Sequence, residues 1–157
     1  MNTLIVFDSL YGSTKTIAET IGQQLNPQTT GVIPVSKMSK VDMISVDLLI
    51  VGSPVHGGNA TPSIKDWLQS IPENSLRNKH IAAFDTRLEE KEQAFPLRVL
   101  MKIIQYAAPR ISRVLTAKGG QLVTPPIGFI VTSKEGPLRI GETERAVAWT
   151  KNLLSLL

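Results

Sequence analysis

The run Leu48-Leu49-Ile50-Val51 sets four branched apolar side chains side by side with no polar residue between them. A strand with one face in water alternates apolar and polar residues, so a run of this kind belongs in a sheet covered on both faces. Leu4-Ile5-Val6-Phe7 and Ile81-Ala82-Ala83-Phe84 are further strands of the same character, and Val32 to Val35 is a weaker one. The intervening segments supply the covering helices. From Thr14 onward, Ile17, Ala18, Ile21 and Leu25 recur at helical spacing, and Pro62 to Ile71 suits a helix with proline in its first turn. Val99/Leu100, Ile103/Ile104, Ala107/Ala108, Ile111 and Val114/Leu115 predict a long helix ended by Gly119-Gly120, which Pro109 either kinks or effectively starts. Leu122-Val123 and Phe129 to Val131 read as a last strand interrupted by Pro125-Pro126, which suits a sheet edge or a bulge, and a final helix runs from about Glu142 to Leu154. Strands alternating with helices over residues 1–157 predict a single α/β domain with a five-stranded, doubly wound parallel sheet and right-handed crossovers.

Composition removes several function classes. The chain has no cysteine, which excludes disulfides, thiolate zinc sites, iron–sulfur clusters and cysteine nucleophiles, and its two histidines offer little to a metal. Seventeen basic against thirteen acidic side chains give a modest net charge of +4, which favours acidic partners or anionic surfaces. The basic residues are scattered without a basic run or interleaved aromatics, so no nucleic-acid partner is expected. Apolar runs fall far short of the roughly 20 residues of a membrane helix. Met1-Asn2-Thr3 leads straight into a strand without a secretory leader, which makes a cytoplasmic protein the expectation.

In open sheets of this type ligands bind outside the carboxyl ends of the strands, at the point where the strand order reverses. That directs attention to the loops at residues 8–14, 53–61 and 85–92. In the first, Ser9-Leu10-Tyr11-Gly12-Ser13-Thr14 runs directly into a helix, so backbone amides and hydroxyls converge at the positive end of the helix dipole. A phosphate suits that arrangement, with Gly12 allowing the turn and Ser9, Ser13 and Thr14 as donors. The plainer alternative is that Ser13 or Thr14 only caps the helix. Neither a Gly-x-Gly-x-x-Gly fingerprint nor a P-loop is present. Asp8 could belong to a phospho-acceptor cluster, but the further acid required after the third strand is replaced by Ser53.

The stretch from Ile5 to Ile21, with Ser9, Gly12, Thr14, Ala18 and Ile21 at their particular spacing, resembles the flavodoxin signature. The resemblance extends over essentially the whole chain, through Gly52-Ser53-Pro54-Val55-His56-Gly57 as a second flavin loop and Asp85-Thr86-Arg87 at the start of a third. It implies the strand order 2-1-3-4-5 and noncovalent FMN, held by Ser9, Leu10, Tyr11, Gly12, Ser13 and Thr14 at its phosphate. Ser53, Pro54, Val55, His56, Gly57, Asp85, Thr86 and Arg87 would surround the rest. Family members of the electron-carrier type are acidic and sandwich the flavin ring between aromatics, whereas this chain is basic and aromatic-poor.

Within that resemblance, His56 either stacks on the flavin or donates a proton near it, or is a solvated loop side chain. Arg87 either places positive charge beside the flavin pyrimidine or pairs with Glu89 or Glu90. Asp85 accepts from the ring, fixes Arg87, or is an ordinary turn residue. The Tyr11 ring is expected to face outward, Trp67 and Trp149 to belong to the core or a helix face, and Glu89 to Glu92 to form a solvated loop. The implied function is an electron carrier serving a redox partner protein or small acceptor, with no catalytic side chain of its own. Two rivals remain: an FMN-dependent reductase of a quinone-type acceptor using NAD(P)H, and a flavin-less interaction module on the same fold.

Overall fold

The computed structural model describes residues 1–38, 43–89 and 106–157. β1 (Thr3–Phe7) lies between β2 (Thr30–Pro34) and β3 (Leu48–Pro54), and β3 pairs in turn with β4 (His80–Leu88), all in parallel. The fifth position is filled by two short strands, β5 (Gln121–Leu122) and β6 (Ile127–Val131), both parallel to β4. The order is therefore 2-1-3-4-5 with the fifth strand broken. Between the pairs Ile81–Leu122 and Phe84–Ile127, β4 advances three residues and the edge advances five. The excess contains Pro125-Pro126, which cannot donate to a ladder, so the chain bulges there and resumes.

Strand alternation sorts the core into two layers. Leu4, Val6, Leu49, Val51, Ile81 and Ala83 face α2 (Pro62–Ser70) and α3 (Ala107–Ala117). Ile5, Phe7, Leu48, Ile50, Ala82 and Phe84 face α1 (Ser13–Gln23) and α4 (Glu142–Ser155). Every residue of Leu48–Val51 is buried, the result its unbroken apolar run predicts. Trp149 lies in the second layer edge-to-face with Phe129, at 6.5 Å between ring centroids, and Trp67 packs against the first. Pro62 opens α2 as expected, behind Thr61 as cap.

Two boundaries differ from the sequence expectation. α3 begins at Ala107 with Pro109 as its third residue, so the proline lies in the first turn, where a missing amide does no harm. The portion of the expected helix at 99–105 lies outside the described residues. β4 continues to Leu88 instead of ending near Phe84, because Phe84–Leu88 gain a second ladder from β6.

The outer side of β6 is fastened to the segment that follows it. The Ile130 amide donates to Glu142 Oε2 at 2.9 Å, and Arg145 Nη2 donates to the Gly128 carbonyl at 2.8 Å. The Arg139 amide donates to the Ile130 carbonyl and the Thr132 amide to the Pro137 carbonyl, each at 2.9 Å. Glu142, buried as the first residue of α4, also accepts from Arg139 and Arg145 and adds negative charge where the helix dipole is positive. No helix among the described residues is long and apolar enough to cross a membrane.

Candidate functional site

β1 delivers the chain into the first loop, which turns at Gly12 with φ +100° and enters α1 at Ser13. That left-handed conformation is natural only for glycine, and a Cβ placed there would meet nothing within 4 Å, so the turn fronts open space. The Ser9 hydroxyl accepts from the Gly12 amide at 3.0 Å and the Lys15 amide at 3.3 Å. Ser9 thus takes the capping part the sequence offered to Ser13 or Thr14, neither of which caps α1, since both are already helical residues. Thr14 turns inward, its hydroxyl 2.9 Å from that of Thr86. Among the described residues no protein acceptor takes the amides of Tyr11, Ser13 or Thr14. They leave a cluster of donors at the positive end of α1.

Beneath this loop, Asp8 accepts from the Ser9 amide at 2.9 Å and from the Thr61 hydroxyl at 2.6 Å. The Thr61 amide donates to Ser53 Oγ at 3.0 Å, and the Ser53 hydroxyl donates to the Pro54 carbonyl at 2.9 Å. The chain of bonds ties the first loop to the second through buried Ser53, which fastens the scaffold and faces no open space. The Val55 amide donates to the Thr86 carbonyl, joining the second loop to β4. His56 and Asn59 exchange backbone hydrogen bonds across a tight turn with left-handed Gly57 and Gly58 at its tip, and the His56 side chain is exposed.

Asp85, Thr86 and Arg87 lie within β4, not in a loop, so their side chains alternate. Thr86 meets Thr14 on the α1 side; Asp85 and Arg87 share the α3 side. Asp85 is fully buried and accepts from Arg87 Nε at 2.6 Å, from Arg87 Nη2 at 2.8 Å and from the Ala108 amide of α3 at 2.8 Å. It is no turn residue. Burial pushes its carboxyl above the usual value, while the hydrogen bonds and charge of Arg87 and the Ala108 amide act in the opposite direction. The guanidinium stacks on the Tyr106 ring, 3.6 Å from its centroid, and occupies the space a Cβ on Gly128 would need. Arg87 is thereby committed to Asp85, not to Glu89, which pairs with Arg139 at 2.7 Å; Glu90 to Glu92 lie outside the described residues.

These elements enclose a cleft of about 330 Å³ at the carboxyl end of the sheet. Leu10, Tyr11, Ser13 and Thr14 line it from the first loop, Pro54, Val55 and Gly57 from the second, and Thr86 and Arg87 from β4. Gly12 fronts a shallower groove that shares Tyr11 and Ser13 with the cleft. Ser9, Ser53 and Asp85 stand behind the walls as fasteners, and His56 does not reach the cleft. Gly58, Leu88, Tyr106, Val131 and Lys134 complete the lining and were not singled out in the sequence. Tyr106 precedes α3 as its cap residue, far from any flavin-loop motif, and stacks on Arg87 at the cleft.

Apolar lining from Leu10, Val55, Leu88 and Val131, together with the unclaimed amides of the first loop and the cations Arg87 and Lys134, suits an apolar ligand carrying an anionic group. Among the described residues no group of three histidine, aspartate or glutamate side chains could hold a metal.

The same architecture recurs among solved structures. Oxidised flavodoxin 2 from Bacillus cereus matches with a TM-score of 0.78 at 17% identity, covering 100% of both chains. A WrbA-like flavodoxin from Agrobacterium tumefaciens matches with 0.72 at 16% identity, over 99% of this chain and 96% of that one. Rubredoxin oxygen:oxidoreductase from Desulfovibrio gigas matches with 0.71 at 20% identity, over 99% of this chain but only 36% of the larger protein. No curated protein sequence matches the chain. The family profile described as flavodoxin domain matches residues 4–132, which carry the glycine turn, the fastened second loop and the paired Asp85 and Arg87. The chain belongs to the flavodoxin domain family.

Proposed function

We propose that this protein binds FMN noncovalently in the cleft and carries electrons between redox partners. The observation that carries this reading is the set of unclaimed amides at Tyr11, Ser13 and Thr14, opening at the positive end of α1 beside an apolar cleft. A phosphate monoester is the anion such a nest takes, and FMN joins that group to a planar ring of the kind the apolar walls accommodate. When bound, the flavin supplies the redox chemistry.

The residues of the chain bind, orient and tune. Ser9 holds the turn by accepting from the Gly12 and Lys15 amides, and the Tyr11, Ser13 and Thr14 amides would donate to the phosphate from a loop that Asp8, Thr61 and Ser53 hold from beneath. Arg87 holds a fixed positive charge at the cleft wall, where it favours negative charge on the reduced ring. Asp85 and Tyr106 keep that guanidinium in one place. Leu10, Val55 and Val131 keep water from the apolar side.

The fixed Arg87 cation also favours a second reading, a two-electron reductase of a quinone-type acceptor. Titrating the purified protein with FMN, then reducing it stepwise without oxygen, tests both. Flavin bands shifted on binding and two separate one-electron stages are the expected result. A single two-electron stage, with fast NAD(P)H oxidation in the presence of quinone, would move the assignment to the reductase. Failure to bind FMN would overturn both.

A further inference from the structure

On the far side of the second loop lies another groove, of about 290 Å³, between α2 and α3. Gly57 and Gly58 line the cleft while Asn59 and Ala60 line the groove, so one turn of chain separates the two. Lys65, Arg110 and Arg113 are its charged residues, and among the described residues no acidic side chain lines it.

The placement of these cations is locally unfavourable. Lys65 lies in the first turn of α2 and Arg110 in the first turn of α3, where a helix dipole is positive and prefers acids. Arg110 and Arg113 repel one another at i,i+3 on a helix that contains no acidic residue. Arg110 Nε is buried with no hydrogen-bond partner among the described residues, although a buried guanidinium nitrogen normally has one. None of the three forms an ion pair among the described residues. By contrast, Arg87, Arg139 and Arg145 each have a carboxylate partner.

We infer that the groove between α2 and α3 docks a carboxylate-bearing surface of an acidic electron-transfer protein, whose acids complete Arg110, Arg113 and Lys65 beside the cofactor cleft. This rests on the electron-carrier reading and names the charge of the partner. A groove that presents side chains from two helices, with an exposed arginine and lysine at its rim, matches several spaced carboxylates on a protein surface. The excess of basic residues over the whole chain acts in the same direction during approach.

The test is a binding titration of the full chain, with and without FMN, against a [2Fe–2S] ferredoxin of low isoelectric point, with a basic cytochrome c as control. The expected result is association with the ferredoxin alone, weakening as salt rises, and about tenfold weaker in the double variant R110Q/R113Q. Circular dichroism and unchanged FMN affinity establish that the variant is folded. Equal ferredoxin binding by the variant and the wild type would overturn the proposal, as would absence of binding by the wild type. Inorganic phosphate bound through Arg110 and Arg113 with no affinity for the ferredoxin would also overturn it, in favour of a small-anion site. Docking can be read without flavin, so a failure to bind FMN and a failure to dock are separate results.

Discussion

Asp8 and Asp85 both stand at the carboxyl end of the sheet, one after β1 and one inside β4, yet they hold the cleft in different ways. Asp8 is half-buried and joined to uncharged donors, the Ser9 amide and the Thr61 hydroxyl. It sets the relative position of two loops and lies beneath the amides of the first. Asp85 is fully buried and joined to a cation that itself faces the cleft. One carboxylate fixes backbone and the other fixes charge. The first loop therefore presents the cleft with amides that cannot titrate, whereas β4 presents it with a charged pair whose members are costly to separate.

The largest effect on this contrast should come from Arg87→Leu. It leaves the Asp85 carboxylate buried without its cation, and we expect a loss of about 3 kcal/mol or more in urea unfolding near neutral pH. Burial already favours the protonated acid, so the loss should shrink in acid: the folded variant is restored below the ordinary carboxylate range and weakens as pH rises through the raised value. A loss independent of pH would show that packing, not the stranded charge, is responsible.

Gly12→Asp asks whether the first loop tolerates a carboxylate in front of the amides as it does Asp8 behind them. FMN affinity should fall at least about a hundredfold, or roughly 2.7 kcal/mol, with the circular dichroism spectrum retained. Unchanged affinity would remove the phosphate from this loop.

Thr61→Val removes one hydroxyl that serves both the Asp8 network and the cap of α2, while Asp8 remains partly solvated, so the expected loss is smaller, about 2 kcal/mol by thermal or urea unfolding. A loss equal to that of Arg87→Leu would erase the distinction between the two carboxylates. Tyr106→Leu keeps both members of the Asp85–Arg87 pair and deletes the ring stacked on the guanidinium. About 0.5–1 kcal/mol of stability should disappear. In the flavin-loaded protein its clearest sign is a shifted reduction potential, as Arg87 gains freedom.

Much of this was legible in the sequence because it is local. The unbroken apolar runs set the strands, Gly12 marks the turn, and Pro62 begins α2. Arg87 and Asp85 show the limit. In a loop, Asp85 fixing Arg87 is one of three readings left open for that acid; the second ladder from β6 selects it by making the two neighbours on one face of a strand. That ladder depends on where the edge resumes after Pro125-Pro126, a long-range pairing that no local pattern records. Tyr106 and Lys134 enter the cleft for the same reason, from segments separated in sequence from every loop motif. The cap at Ser9 was missed because its acceptor reaches forward across a glycine turn instead of sitting at the usual position before the helix.

The fastening of β6 has a consequence for how copies of the molecule meet. An outer strand with free amides and carbonyls is a template on which a neighbouring chain can add its own strand, the first step toward fibres and swapped dimers. Here Glu142, Arg139, Arg145 and Pro137 already hold backbone groups of Gly128, Ile130 and Thr132. An incoming strand would have to displace a buried carboxylate with two arginines attached to it. The chain thereby protects the strand at its interrupted edge with its own following segment, and sheet-to-sheet polymerisation through this side is disfavoured without a single charge being placed on the strand itself.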